Sequence, residues 1–159
     1  MFIQILGIIA FLLFLYSFTR KLTKNIIFYQ VISNLFFTVH YLLLGSFSAS
    51  IVHLTLIAYI FMLDYYKDDK NKVFKYLILF LIIYILIGII TYDNFYSVLP
   101  IVGSLIYSIS ILKNNKMLSI ISSLIWLFFN IIVISIGGIF LNLICIIIYI
   151  LKFKECYER

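Results

Sequence analysis

The chain has 159 residues, 65% of them hydrophobic and 11% charged, with a mean hydropathy of +1.21. So few charges cannot coat a soluble surface or line a nucleic-acid groove; the expected partner is the lipid bilayer, with no nucleic acid. Twelve Lys and Arg against six Asp and Glu leave a net charge of +6 that calls for a membrane explanation. A hydrocarbon core about 30 Å thick takes roughly 20 apolar residues per helical crossing, which leaves room for about seven crossings with short links.

The first apolar run covers roughly 2–19. The Met1-Phe2-Ile3-Gln4 start lacks the basic segment of a secretory signal, and Ser17-Phe18-Thr19-Arg20-Lys21 is no small-residue cleavage site, so this run is expected to be retained. Arg20, Lys21 and Lys24 follow it, and a second run spans roughly 25–44. Gly45-Ser46 predicts a tight turn into a third run, about 47–63. The next link holds Tyr65 and Tyr66 as interface anchors, then Asp68 and Asp69 among Lys67, Lys70, Lys72 and Lys75, which reads as a solvated face. The fourth run, about 73–92, is apolar on every side from Tyr76 to Ile90, as a lipid-embedded helix is and an alternating barrel strand is not. Asp93 precedes a fifth run, about 96–112, and Lys113 and Lys116 lead into a sixth, about 117–136. Gly137-Gly138 predicts a second tight turn before the seventh, about 139–153, which leads into Lys152, Lys154 and Arg159. Cys145 in an apolar run and Cys156 in the charged tail make no disulfide framework.

With seven crossings all twelve basic residues fall on one side, with Asp93 the one formal charge on the other. Basic residues are retained on the cytoplasmic side, so the N-terminus is predicted outside and the C-terminus inside. Self-comparison at an offset of 92 lays Leu35-Phe36-Phe37 on Leu127-Phe128-Phe129, Gly45 on Gly137, Ser50 on Asn142 and His53 on Cys145. Three crossings is an odd number, so a further helix is needed for two triplets to point alike. The predicted fold is therefore an all-α integral membrane protein of seven transmembrane helices, two parallel three-helix repeats joined by a linker helix. Within one membrane domain, 1–159, the first repeat is 1–66, the cytoplasmic link and linker helix 67–95, and the second repeat with its tail 96–159.

Four segments carry a resemblance: Val39-His40-Tyr41-Leu42-Leu43-Leu44-Gly45, Leu99-Pro100-Ile101-Val102-Gly103, Trp126-Leu127-Phe128-Phe129-Asn130 and Ser135-Ile136-Gly137-Gly138. In order and spacing they resemble the bacterial YgjV-type inner-membrane family, and the three-one-three plan looks like that of SWEET and PQ-loop transporters. The resemblance implies a multi-pass protein of the bacterial inner membrane with a transport role, and names no substrate. SWEET-type repeats carry a proline in the first helix of each unit; here Pro100 is the single proline and the expected hinge, and Gln4 stands near the matching place when Gly7 is laid on Gly103.

Polar residues at membrane depth are costly, so they mark the candidate site. Trp126 and Asn130 share a face of the sixth helix at i, i+4, with Asn34 and Thr38 at the equivalent points of the second. Ser50 with His53 on the third helix and Asn142 with Cys145 on the seventh repeat an i, i+3 spacing, and Tyr107 adds a hydroxyl from the fifth, where Gly103-Ser104 and Ser108 suggest close packing. These groups suit a small hydroxylated or amide-bearing solute, or serve as hydrogen-bonding glue between helices. His53 and His40 are the candidates for proton coupling, and His40 and Asn34, six positions apart, are not expected to share a wall. No His-Glu-x-x-His, Gly-x-Ser-x-Gly or Gly-rich phosphate loop occurs, so neither an enzyme, a metal site nor a cofactor is expected, with Ser50 and His53 the one Ser/His arrangement left open. The expected function is a transporter or facilitator of a small polar solute; the alternative is a non-transporting scaffold or accessory subunit. A homo-oligomer is compatible with either.

Overall fold

A computed structural model describes the backbone of residues 1–157 and the side chains of residues 1–151; expectations on Lys152, Lys154, Cys156 and Arg159 fall outside the described residues. Among these residues there are seven α-helices and no strand: α1 Phe2–Phe18, α2 Thr23–Leu43, α3 Phe47–Tyr65, α4 Lys70–Ile90, α5 Leu99–Leu112, α6 Lys116–Ile132 and α7 Ile136–Tyr157. Four helical segments are long and apolar enough to cross a membrane, Thr23–Leu43, Phe47–Tyr65, Lys70–Ile90 and Phe95–Leu112; Phe2–Phe18, Lys116–Ile132 and Ile136–Leu151 are shorter apolar helices.

The helix ends explain where the sequence expectations shift. Asp69 caps α4 by accepting from the Lys72 N–H at 3.1 Å, which starts the helix at Lys70, three residues before the apolar run. Phe95–Val98 is a 3-10 turn with a capping box between Asn94 and Ser97, so the fifth run divides in two and α5 begins at Leu99. Asn115 caps α6 through the N–H groups of Met117 and Leu118.

Links of three or four residues, and one of eight that contains the 3-10 turn between α4 and α5, set successive helices antiparallel. The α1–α2, α3–α4 and α5–α6 links, with Arg20, Lys21, Lys24, Lys67, Lys70, Lys72, Lys75, Lys113 and Lys116 in or beside them, define a basic end. The α2–α3 and α6–α7 corners define the opposite, corner end. α1 and α7 lie side by side in the same sense: Gln4 meets Ile134 and Ile136, Gly7 meets Gly137, and the Phe11 and Phe140 rings are 6.0 Å apart.

The two corners repeat at an offset of 89, three short of the offset read from the sequence. The N–H groups of Leu44, Gly45 and Ser46 donate to the carbonyls of His40, Leu42 and Tyr41 at 3.0, 3.1 and 2.9 Å; those of Val133, Ile134 and Ser135 donate to Phe129, Ile131 and Asn130 at 3.1, 3.3 and 2.9 Å. The residue with positive φ is Gly45 (76°) in the first corner and Ile134 (54°) in the second. Ser33 Oγ donates to Ala10 O and Ser122 Oγ to Gly103 O, both at 2.7 Å, so the offset of 89 holds half-way down α2 and α6, while the acceptors on α1 and α5 lie four residues further apart. Since α6 has 17 residues and α2 has 21, a full turn more, one offset cannot match both ends of the pair.

This overturns the expected role of Gly137-Gly138. Both lie in the first turn of α7, and the turn itself is made by Val133-Ile134-Ser135, so the sixth helix ends at Ile132 and not near 136. The glycines serve packing: a Cβ on Gly137 would overlap the Gly7 carbonyl, and one on Gly138 the Asn130 amide.

α4 stands apart. It buries a single stripe, Leu77, Phe80, Tyr84 and Ile87, on the α3 and α5 side, and leaves Ile78, Leu79, Ile82, Ile85, Leu86, Ile89 and Ile90 exposed. The core between the other helices is aromatic, with Phe37, Tyr41, Tyr59, Trp126 and Phe129 among its buried residues.

Candidate functional site

A cavity of about 460 Å³ lies between α2, α3, α5, α6 and α7, with Phe14 of α1 also in its wall, a volume in the range of small-molecule sites. Thr23, Asp64, Lys67 and Tyr149 line it toward the basic end, where the exposed Asp64 and Lys67 side chains form its mouth. Asn34, Phe37, Tyr41, His53, Trp126 and Asn142 line it toward the corner end, and all six are buried. Along α3 the wall runs from His53 to Asp64, about 16 Å at 1.5 Å per residue.

The deep end is an aromatic box around an imidazole. The His53 ring stacks with Phe37 and Tyr41, each at 5.1 Å between centroids, and meets Trp126 edge-on at 5.2 Å. Asn34 Nδ2 donates to the Gln30 carbonyl at 2.8 Å, which turns Asn34 Oδ1 toward His53 Nδ1, also at 2.8 Å. The imidazole proton therefore sits on Nδ1 in the neutral ring, leaving Nε2 a bare lone pair. Asn142 Nδ2 likewise donates to Gly138 O at 2.8 Å, freeing Oδ1 as an acceptor. The Trp126 pyrrole edge abuts α5, where a Cβ on Gly103 would come within 2.9 Å of Nε1.

Beyond the box, the corner end is shut by bonds between the first two helices and the last two. Tyr41 OH donates to Asn130 Oδ1 at 2.6 Å. His40 Nδ1 donates to Ile3 O at 2.8 Å, since a carbonyl can only accept; Nε2 then accepts from Ser135 Oγ at 2.8 Å, and that hydroxyl accepts from Gly138 N at 3.3 Å. The Gln4 side chain donates from Nε2 to Ile134 O at 2.7 Å and accepts through Oε1 from Ile136 N at 3.1 Å. Tyr41 and Asn130 are equivalent at the offset of 89, so the seal joins matching positions.

Five of the eight residues singled out from the sequence, Asn34, His53, Trp126, Asn142 and Tyr107, line this one cavity. The other three lie outside its lining: Asn130 is fully buried under Tyr41, Thr38 Oγ donates to its own helix at Asn34 O, and Ser50 Oγ donates to Thr38 O. Ser50 and His53 thus have separate partners and do not pair with each other. His40 is also absent from the lining. Pro100 occupies the second position of α5, where its missing N–H removes no intrahelical bond, so any bend there falls between the 3-10 turn and α5 and not within a running helix. At the offset of 89 the true partners are Asn34 with Ser123, Phe37 with Trp126 and His53 with Asn142, all six lining the cavity. Gln30, Phe37, Tyr41 and Ser123 escaped notice, although 30, 34, 37 and 41 share one helical face of α2. Among the described residues no cluster of three His, Cys, Asp or Glu is placed to hold a metal ion.

No curated protein and no solved structure matches the chain. A family model does, over residues 1–159: the chain belongs to the Imp-YgjV family of bacterial inner membrane proteins, and its place is the inner membrane of a bacterium.

Proposed function

We propose that this protein is a seven-span carrier or facilitator for a small polar solute, built as two parallel three-helix units around the cavity, with α4 as linker, the N-terminus outside and the basic end cytoplasmic. The observation that carries this reading is a cavity with one exposed and one sealed end, its deep wall lined in matching pairs by the two units. An inward-open carrier has this form, and rocking the units apart at the corner end would expose the same wall to the other side. At 17 residues, α1 and α6 reach about 25 Å, near the lower limit for a crossing. The side-by-side, same-sense contact of α1 and α7 fits an odd number of spans. No catalytic step is proposed.

Solute flux into vesicles holding the purified protein is expected to collapse with Trp126→Ala or His53→Ala while the variants stay folded; full flux in both overturns the reading. One observation favours a non-transporting scaffold: the single proline, Pro100, lies in the first turn of α5, so the first unit has no proline at which to bend. Under that reading the protein co-purifies with a fixed membrane partner and none of these variants changes any flux.

A further inference from the structure

On the carrier reading, both ends of the cavity bear on the charge of the solute it can hold. A solute entering at the basic end passes the paired Asp64 and Lys67 at the mouth; nine Lys and Arg in or beside the links of that end outnumber Asp64, Asp68 and Asp69, a net positive field that disfavours cations. The carboxylate in the wall, Asp64, lies beside Lys67 at 3.5 Å, so its charge is locally matched. At the deep end none of the six lining residues carries a formal charge, so a charge of either sign taken there has no counter-ion.

The hydrogen-bonding groups left over at the deep end are of both kinds. One N–H of each of the Asn34 and Asn142 amides is engaged with a backbone carbonyl and the second is left; His53 Nδ1–H is engaged with Asn34, and the Trp126 N–H, whose edge faces α5, has no acceptor among the described residues. The acceptors left are the His53 Nε2 lone pair and Asn142 Oδ1, with the buried Ser104 hydroxyl, unpartnered among the described residues, one helix away. Around them stand flat rings, and a planar solute fills a wall of flat rings better than a puckered polyol does.

We propose that the cavity binds an uncharged, flat solute bearing N–H donors, of the class of neutral aromatic or heteroaromatic amides, stacked on the Trp126 side of the box and donating to His53 Nε2 and Asn142 Oδ1. This sets its substrate class apart from sugars, organic cations and carboxylates.

Trp126 is the single tryptophan of the chain, so its emission reports the cavity in the unaltered protein. The probes are benzamide, benzoate and benzamidinium, which share one outline and differ in charge, with glucose as a neutral polyol, each titrated into the full chain in detergent. Benzamide is expected to change Trp126 emission saturably and to raise Tm, with benzoate and benzamidinium weaker by at least about tenfold and glucose without effect. His53→Phe keeps a ring in the box and removes the acceptor, so it is expected to weaken benzamide by about tenfold. A charged probe as tight as benzamide, a saturating glucose signal, or unchanged benzamide affinity in His53→Phe overturns the substrate class. If no probe saturates while vesicle flux still depends on Trp126, the class alone fails; if flux is also indifferent to Trp126, the carrier reading fails with it.

Discussion

The α2–α3 and α6–α7 corners share one hydrogen-bond skeleton and are held in different ways. The first places Gly45 in the left-handed conformation, with nothing within 4 Å of where a Cβ would stand. The second places Ile134 there, a β-branched residue that is 68% exposed, at a backbone cost of about 1–2 kcal/mol that no packing returns. Bonds from the first unit support that corner: Gln4 takes a carbonyl and an N–H on either side of Ser135, and His40 takes the Ser135 hydroxyl. No side-chain bond from α5, α6 or α7 reaches Leu44-Gly45-Ser46 among the described residues. The unstrained corner holds itself, whereas the strained one is held by α1 and α2, which on the carrier reading proposed above it leaves when the two units rock apart. Strain kept in place by the surroundings is a common property of moving parts.

The largest test of this contrast is Gly137→Ala. With the Gly7 backbone in the way and no flexible side chain to yield, it is expected to cost about 3 kcal/mol and lower Tm in detergent by several degrees or prevent assembly; a variant as stable as the parent would show that α1 and α7 do not meet there. Next comes Tyr41→Phe. It strips the donor from Asn130 Oδ1 in a residue whose Nδ2 already lacks a partner, and is expected to cost about 1–2 kcal/mol and to raise thiol labelling of a cysteine placed at position 46. Unchanged labelling and Tm would mean that this bond does not hold the corner end shut.

Exchanging the corners' own residues has smaller and opposite effects. Gly45→Ile is expected to lose about 1–2 kcal/mol, and Ile134→Gly to gain a few tenths to about 1 kcal/mol, the relieved strain being offset by glycine's greater freedom in the unfolded chain. Equal signs in the two unfolding experiments would contradict the assignment of strain to one corner. The smallest effect lies at the other end of the molecule. Asp69 accepts the Lys72 N–H, which holds its carboxyl below the usual carboxylate range. A depressed folded-state pKa stabilises above the unfolded value, about 4, and that contribution fades as pH falls through the folded value. Acid titration of Tm is therefore expected to lose a slight component in Asp69→Asn, with both corners unaffected.

Much of this architecture can be read from residues. Apolar runs place all seven helices to within a few positions, and lysines and arginines mark one end. The sixth run fails for a physical reason: Val133 and Ile134 are as apolar as any spanning residue, so hydropathy continues through a turn made by an isoleucine with positive φ. That missed break also fixed the repeat at the wrong offset and paired Asn34 with Trp126 instead of Ser123. The site was half legible. Looking for polar groups found Asn34, His53, Trp126, Asn142 and Tyr107, and overlooked Phe37 and Tyr41, whose rings build the box. It also gathered Thr38 and Ser50, because sequence does not show when a hydroxyl is satisfied by a backbone carbonyl close by.

No side chain of α4 lines the cavity, and its one buried stripe touches neighbours from both triplets. On the carrier reading proposed above, the helix is a tether more than a wall. Two unlinked three-helix chains inserted with the same polarity could enclose the same chamber, and the covalent bridge then contributes a raised local concentration of one half beside the other. Gene halves that cut α4 away and are produced together would reveal whether the bridge is needed for assembly or only for its yield.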